Sequence, residues 1–132
     1  MYERWPLILI VEDSATQATQ IAATLSRYKV RVVIATDGFQ GLRLTHSQTP
    51  NLIVLDINLP KMDGYQMCQR LKRDPETAHI PVILMTAMVT AEASLHGLEV
   101  GANDFIAKDH FKAENLLATV NAYLGIVIEA RA

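Results

Sequence analysis

The chain has 132 residues, half of them hydrophobic, a length that suits one domain around one core. Against 14 Asp and Glu stand 12 Lys and Arg, a net charge of −2, and no basic cluster offers direct contact with nucleic acid. No apolar run approaches the roughly 18 residues of a membrane span, no signal-like segment is present, and Cys68, the only cysteine, cannot form an internal disulfide, so a cytoplasmic location is expected.

The first strand is predicted at Leu7–Val11 (LILIV), apolar on both faces. Trp5 precedes it. Ser14 is a candidate N-cap, and Ala18, Ile21, Ala22, Leu25 and Tyr28 follow helical spacing, with Gln17, Thr19 and Gln20 on the other face. Val30–Ala35 is the second strand, and a weaker helical signal covers 37–47. Leu52–Leu55 (LIVL) is the third strand. Gly64, Met67, Cys68 and Leu71 then make a helical stripe that stops at Asp74-Pro75, because proline cannot continue a helix. Val82–Met85 is the fourth strand, followed by a helix through Leu95 and Leu98 to Gly101, a candidate C′ residue. Asp104–Ala107 is a fifth, weaker strand. Ala113, Leu116, Leu117, Val120 and Leu124 mark the last helix, closed by Gly125. The tail 126–132 is apolar at its start and reads as a frayed end, a linker or a contact surface.

Strands alternating with helices imply a doubly wound parallel sheet covered on both faces. Ligands of such sheets bind beyond the carboxyl ends of the strands. There the sequence sets Glu12-Asp13 after strand one, Asp56 at the end of strand three, Thr86 after strand four and Lys108 after strand five. Carboxylates crowded into one crevice repel one another unless a cation sits among them; magnesium, a hard ion with oxygen ligands, suits such a site. A lysine and a hydroxyl would supply donors to an incoming anion, a combination suited to phosphoryl transfer onto a carboxylate. The four histidines (His46, His79, His96, His110) show no metal-ligand spacing and read as surface or partly buried singles.

The segments LILIVEDS (7–14), LIVLDINLPKMDG (52–64), PVILMTA (81–87) and GANDFIAK (101–108) resemble the signature blocks of response-regulator receiver domains, in their order and spacing, over about 7–124. The resemblance implies a flavodoxin-like (βα)5 fold with strand order 2-1-3-4-5, one receiver domain over 1–132, and 126–132 as its tail or the start of a linker. It implies phosphorylation of Asp56 by a sensor histidine kinase or phosphotransfer protein. It also implies Mg²⁺ held by Glu12, Asp13, Asp56 and the backbone carbonyl of Asn58. Thr86 and Lys108 match the groups that move onto the phosphoryl group, each gaining a partner it lacks at rest. Phe105 matches the aromatic switch position, and Pro60 and Gly64 match the loop after the acceptor. Asn58 and Met88 match positions that tune phosphate lifetime. Phosphorylation would switch the face of helix four, strand five and helix five toward a downstream effector, and a phosphorylation-dependent homodimer is compatible with this. The chain would be no enzyme beyond its own phosphorylation and dephosphorylation.

Where the family has Lys-Pro, this chain has Lys108-Asp109, with Phe111 one place late. A trans bond is expected there, since a cis bond before a non-proline costs roughly 2.5–4 kcal/mol, and Asp109 could hold Lys108 at rest. Three rival readings meet opposing features. A flavodoxin-like mononucleotide binder needs a Ser/Thr/Gly-rich loop where Glu12-Asp13 stands. A phosphatase with an aspartate nucleophile carries its acidic motif on the first strand. A degenerate receiver acting as a phosphorylation-independent docking module would not need the full acidic set.

Overall fold

A computed structural model describes residues 4–87, 89–108 and 113–132. In chain order its elements are β1 (Leu7–Val11), α1 (Ala15–Leu25), β2 (Arg31–Ala35), α2 (Gly38–Gln48), β3 (Leu52–Asp56), α3 (Gly64–Arg73), β4 (Val82–Thr86), α4 (Ala91–Val100), β5 (Asp104–Ala107) and α5 (Ala113–Leu124). All strand pairs are parallel, in the order β2-β1-β3-β4-β5. This is the flavodoxin-like (βα)5 topology expected from the sequence.

Alternation along the strands divides the core in two. Leu9, Val11, Ile53, Leu55, Val82 and Leu84 face Met67, Cys68, Leu71 and Val100 on one side. Ile8, Ile10, Leu52, Val54, Ile83 and Met85 face Ile21, Leu25, Leu116 and Val120 on the other. Burying each large side chain stabilises the fold by roughly 1.5–3 kcal/mol. The three central strands are buried along their whole length, which is why they read as unbroken apolar runs.

Helix starts follow local chemistry. Ser14, Asp37, Asp63 and Thr90 each accept a backbone N–H from the first turn of α1, α2, α3 and α4, and Gln66 completes a capping box with Asp63. The weak signal for α2 has a physical cause. Its buried residues are Gly38, Gly41 and Thr45, so it lies close to the sheet without a large apolar stripe. A Cβ at Gly41 would come within 2.7 Å of Met67 and 3.1 Å of Val11.

The tail is docked rather than frayed. Ile128 is buried, and its N–H donates to Asn121 Oδ1. Ala130 bridges to Tyr28, the Lys29 N–H donates to the Glu129 carbonyl, and Arg131 donates to the Tyr28 and Val30 carbonyls. The Arg131 guanidinium lies 4.9 Å from the Trp5 ring, at the sheet edge opposite the strands' carboxyl ends. Among the described residues no helix is long and apolar enough to cross a membrane.

Candidate functional site

The sheet order reverses between β1 and β3, which opens a crevice at their carboxyl ends. Val11 pairs with Leu55, so the next residues, Glu12 and Asp56, fall side by side. Thr86 pairs with Ala107, which brings Lys108 to the same edge. The fold therefore assembles Glu12, Asp13, Asp56, Thr86 and Lys108 in one place, as the sequence predicted.

Glu12 and Asp56 are each 1 % exposed, while Asp13 faces solvent. One carboxylate oxygen from each of the three lies within 4.8 Å of the others. The Glu12 carboxylate accepts the Ser14 N–H at 3.2 Å, and Asp56 Oδ1 accepts the Asn58 N–H at 3.1 Å. Lys108 Nζ donates to Asp56 Oδ2 at 2.8 Å and to Glu12 Oε1 at 2.9 Å. Burial pulls the Lys108 ammonium down, but hydrogen bonds and charge from Asp56 and Glu12 outweigh it and hold the group above the usual lysine range. Among the described residues every buried polar side-chain atom has a partner. The three clustered carboxylates, two of them bonded to the Lys108 ammonium, form a hard-oxygen set that fits a divalent cation such as Mg²⁺.

Two expectations need correction. Lys108 does not lack a partner at rest, since two carboxylates and an amide already receive its donors; Thr86 is likewise engaged. His46 is not a single surface histidine either. Its Nε2 lies 3.3 Å from Asp74 and its Nδ1 3.6 Å from Glu76. His96 stacks on Tyr65 with ring centroids 3.8 Å apart, and His79 is exposed.

The loop after Asp56 turns back through a Gly64 N–H bond to the Ile57 carbonyl at 2.8 Å. A Cβ at Gly64 would collide with the Asp56 carbonyl, so the loop can lie this close to Asp56 only with glycine there. Asn58 is exposed beside Asp56. Phe105 packs on the core beneath α4, against Gly97 and Leu84. Met88, Asp109, His110 and Phe111 lie outside the described residues, and with them the lifetime role of Met88 and the Lys108-Asp109 geometry.

Sequence reasoning missed Gln17. Its side-chain carbonyl accepts from Lys108 Nζ at 2.8 Å, although the helical pattern puts it on the solvent face of α1. The available signal was its place in the first turn after β1, a turn that begins at the carboxyl edge of the sheet.

A doubly wound (βα)5 protein with a carboxylate cluster and a lysine at its switch point is the class this geometry defines. The family model for the response regulator receiver domain matches residues 8–121, and the chain belongs to that family. It is 40% identical over 119 residues to the DNA-binding dual master transcriptional regulator RpaA of Synechocystis, covering 90% of this chain and 49% of that protein. Response regulator PleD of Caulobacter vibrioides is 40% identical over 101 residues, covering 76% of this chain and 22% of that protein. The chain thus spans about half or less of these relatives. Among solved structures, a response regulator from Chloroflexus aurantiacus superposes with a TM-score of 0.88 at 31% identity, covering 92% of this chain and 99% of that one. The receiver domain of sensor histidine kinase PA1611 from Pseudomonas aeruginosa, which has magnesium coordinated in its active site cleft, superposes with a TM-score of 0.84 at 30% identity, covering 92% and 98%.

Proposed function

We propose that the chain is a phosphorylation switch in which Asp56 accepts a phosphoryl group from a phosphohistidine of a sensor histidine kinase or phosphotransfer protein. The observation that carries this reading is the buried Asp56 carboxylate set between Glu12 and Lys108, with Asp13 completing the acidic set. An Asp56 oxygen attacks phosphorus, the phosphorus–nitrogen bond breaks, and the imidazole leaves with the electron pair. The product is an acyl phosphate. Glu12, Asp13, Asp56 and the Asn58 carbonyl would hold Mg²⁺, which when bound offsets the charge gathered on phosphoryl oxygens. The PA1611 domain, with magnesium in its cleft, supports that assignment.

Phosphorylation adds about −1.5 to −2 charge and three strong acceptors at Asp56. Lys108 then exchanges a carboxylate for phosphoryl oxygens, and Thr86 moves toward the same group. Phe105 follows, and the α4–β5–α5 face is the bistable element that an effector reads. The relative RpaA is a DNA-binding transcriptional regulator, so an effector that binds DNA is within this reading. The chain catalyses only its own phosphorylation and dephosphorylation, and Asn58 and Met88 set the lifetime. The receiver domain takes in 1–132, with 126–132 as its tail or the start of a linker, and its place is the cytoplasm. A phosphorylation-independent docking module is not favoured, because it has no use for buried Asp56 and Glu12. Incubation with a small phosphodonor and Mg²⁺ tests the proposal: intact-mass measurement should show one phosphoryl adduct, absent in Asp56→Asn and without Mg²⁺. An adduct that persists in Asp56→Asn would contradict it.

A further inference from the structure

The Lys108 side chain is held by its head rather than its stem. Between α1 and the ends of β4 and β5 lies a cavity of about 140 Å³ lined by Gln17, Gln20, Ile21, Met85 and Lys108. Lys108 lines this cavity, so on that side its stem gains little from packing. The ammonium has three N–H donors. Three acceptors meet them: Asp56 at 2.8 Å, Gln17 at 2.8 Å and Glu12 at 2.9 Å. Two of these belong to the acidic cluster, whose charge changes during function. Gln17 is a neutral amide outside that cluster. It can keep its bond while the carboxylates take other partners. Its backbone is itself anchored, because its N–H donates to the Ser14 cap at 3.3 Å.

We propose that Gln17 is a positioning residue for Lys108: its side-chain carbonyl keeps the ammonium at the Asp56 carboxylate and out of the neighbouring cavity. The role in phosphoryl transfer rests on Asp56 being the acceptor. Gln17 acts only through Lys108.

Two variants separate the acceptor atom from the shape of the side chain. Gln17→Met keeps the length and removes the acceptor, while Gln17→Glu keeps an acceptor. The first readout is the ¹⁵N signal of the Lys108 ammonium in the resting, metal-free protein, which does not depend on phosphorylation. Wild type and Gln17→Glu should show a slowly exchanging resonance that Gln17→Met loses. The second readout is the rate at which a small phosphodonor labels Asp56. Gln17→Met should slow it roughly three- to tenfold, the value of one hydrogen bond, with Gln17→Glu within about twofold of wild type. If Gln17→Met matches wild type in both readouts, or if both variants slow labelling equally, the proposal falls. If the ammonium signals behave as expected but no protein is labelled, wild type included, the acceptor reading fails and the role in transfer fails with it.

Discussion

Lys108 Nζ sits 2.8 Å from Asp56 Oδ2, an ion pair joining the end of β5 to the end of β3 across the sheet's carboxyl edge. The same ammonium reaches Glu12, so one cation serves two buried carboxylates. On the proposed reading, phosphorylation at Asp56 would exchange an anionic partner that Lys108 already has, and the energy of switching would be a difference between two ion pairs.

Removing that cation should be costly. Lys108→Met leaves Asp56 and Glu12 buried without it and should lower stability by about 2–4 kcal/mol at neutral pH. Adding Asp56→Asn should recover part of the loss. Urea unfolding of the four proteins of this cycle gives the coupling. Additive effects would mean that the ion pair contributes nothing.

The acidic cluster should respond to charge and metal. Without metal, Asp56→Asn should melt above wild type by a few degrees, since about 1 kcal/mol shifts a domain of this size by roughly 3–5 °C. Mg²⁺ should raise the wild-type melting temperature by mass action and leave a Glu12→Ala, Asp13→Ala double variant unchanged. An equal rise in that variant would place the metal elsewhere.

Alkaline pH should destabilise the fold in two stages. Burial pushes the Cys68 thiol from 9.0 up to about 11, despite the nearby Lys72. Between those values the unfolded chain has lost a proton that the folded one keeps, so stability falls from about pH 9 to pH 11. Lys108, raised above 10.5, contributes fully below pH 10.5, and its contribution is lost as pH climbs through its folded-state value. Denaturant midpoints across pH 8–11 should therefore decline in wild type and stay flatter up to pH 10.5 in Cys68→Val. An identical decline in both would remove Cys68 from the account.

Phe105 and Gly97 should be coupled. A Cβ on Gly97 would collide with the Phe105 ring, so Gly97→Ala forces the ring or α4 to move and should cost about 1–3 kcal/mol. Phe105→Leu in the same chain should return much of that cost. A Gly97→Ala variant as stable as wild type would mean that α4 shifts freely over Phe105.

The central strands and the acidic edge were legible because strands buried on both faces leave unbroken apolar runs, and the residues after them fall at one edge. α2 was faint because glycines, not large side chains, meet the sheet. Gln17 was hidden because helical periodicity reports burial, whereas Gln17 is exposed and engaged through a residue 91 positions away. The docked tail and the His46–Asp74–Glu76 cluster depend on contacts between distant segments, which no local pattern carries. Lys108 was recognised as a donor to an anion, but its resting partners emerge only when the sheet brings the ends of β1, β3 and β5 to one edge.

The most direct test is to locate the phosphoryl group itself. After labelling with a small phosphodonor and Mg²⁺, borohydride reduction converts an acyl phosphate on aspartate to homoserine, which tandem mass spectrometry can place. The account predicts homoserine at position 56, none at 13 or 63, and no 2-amino-5-hydroxypentanoic acid, the product of a reduced glutamyl phosphate, at 12. Homoserine at another position, or a phosphoryl group that resists borohydride, would contradict it.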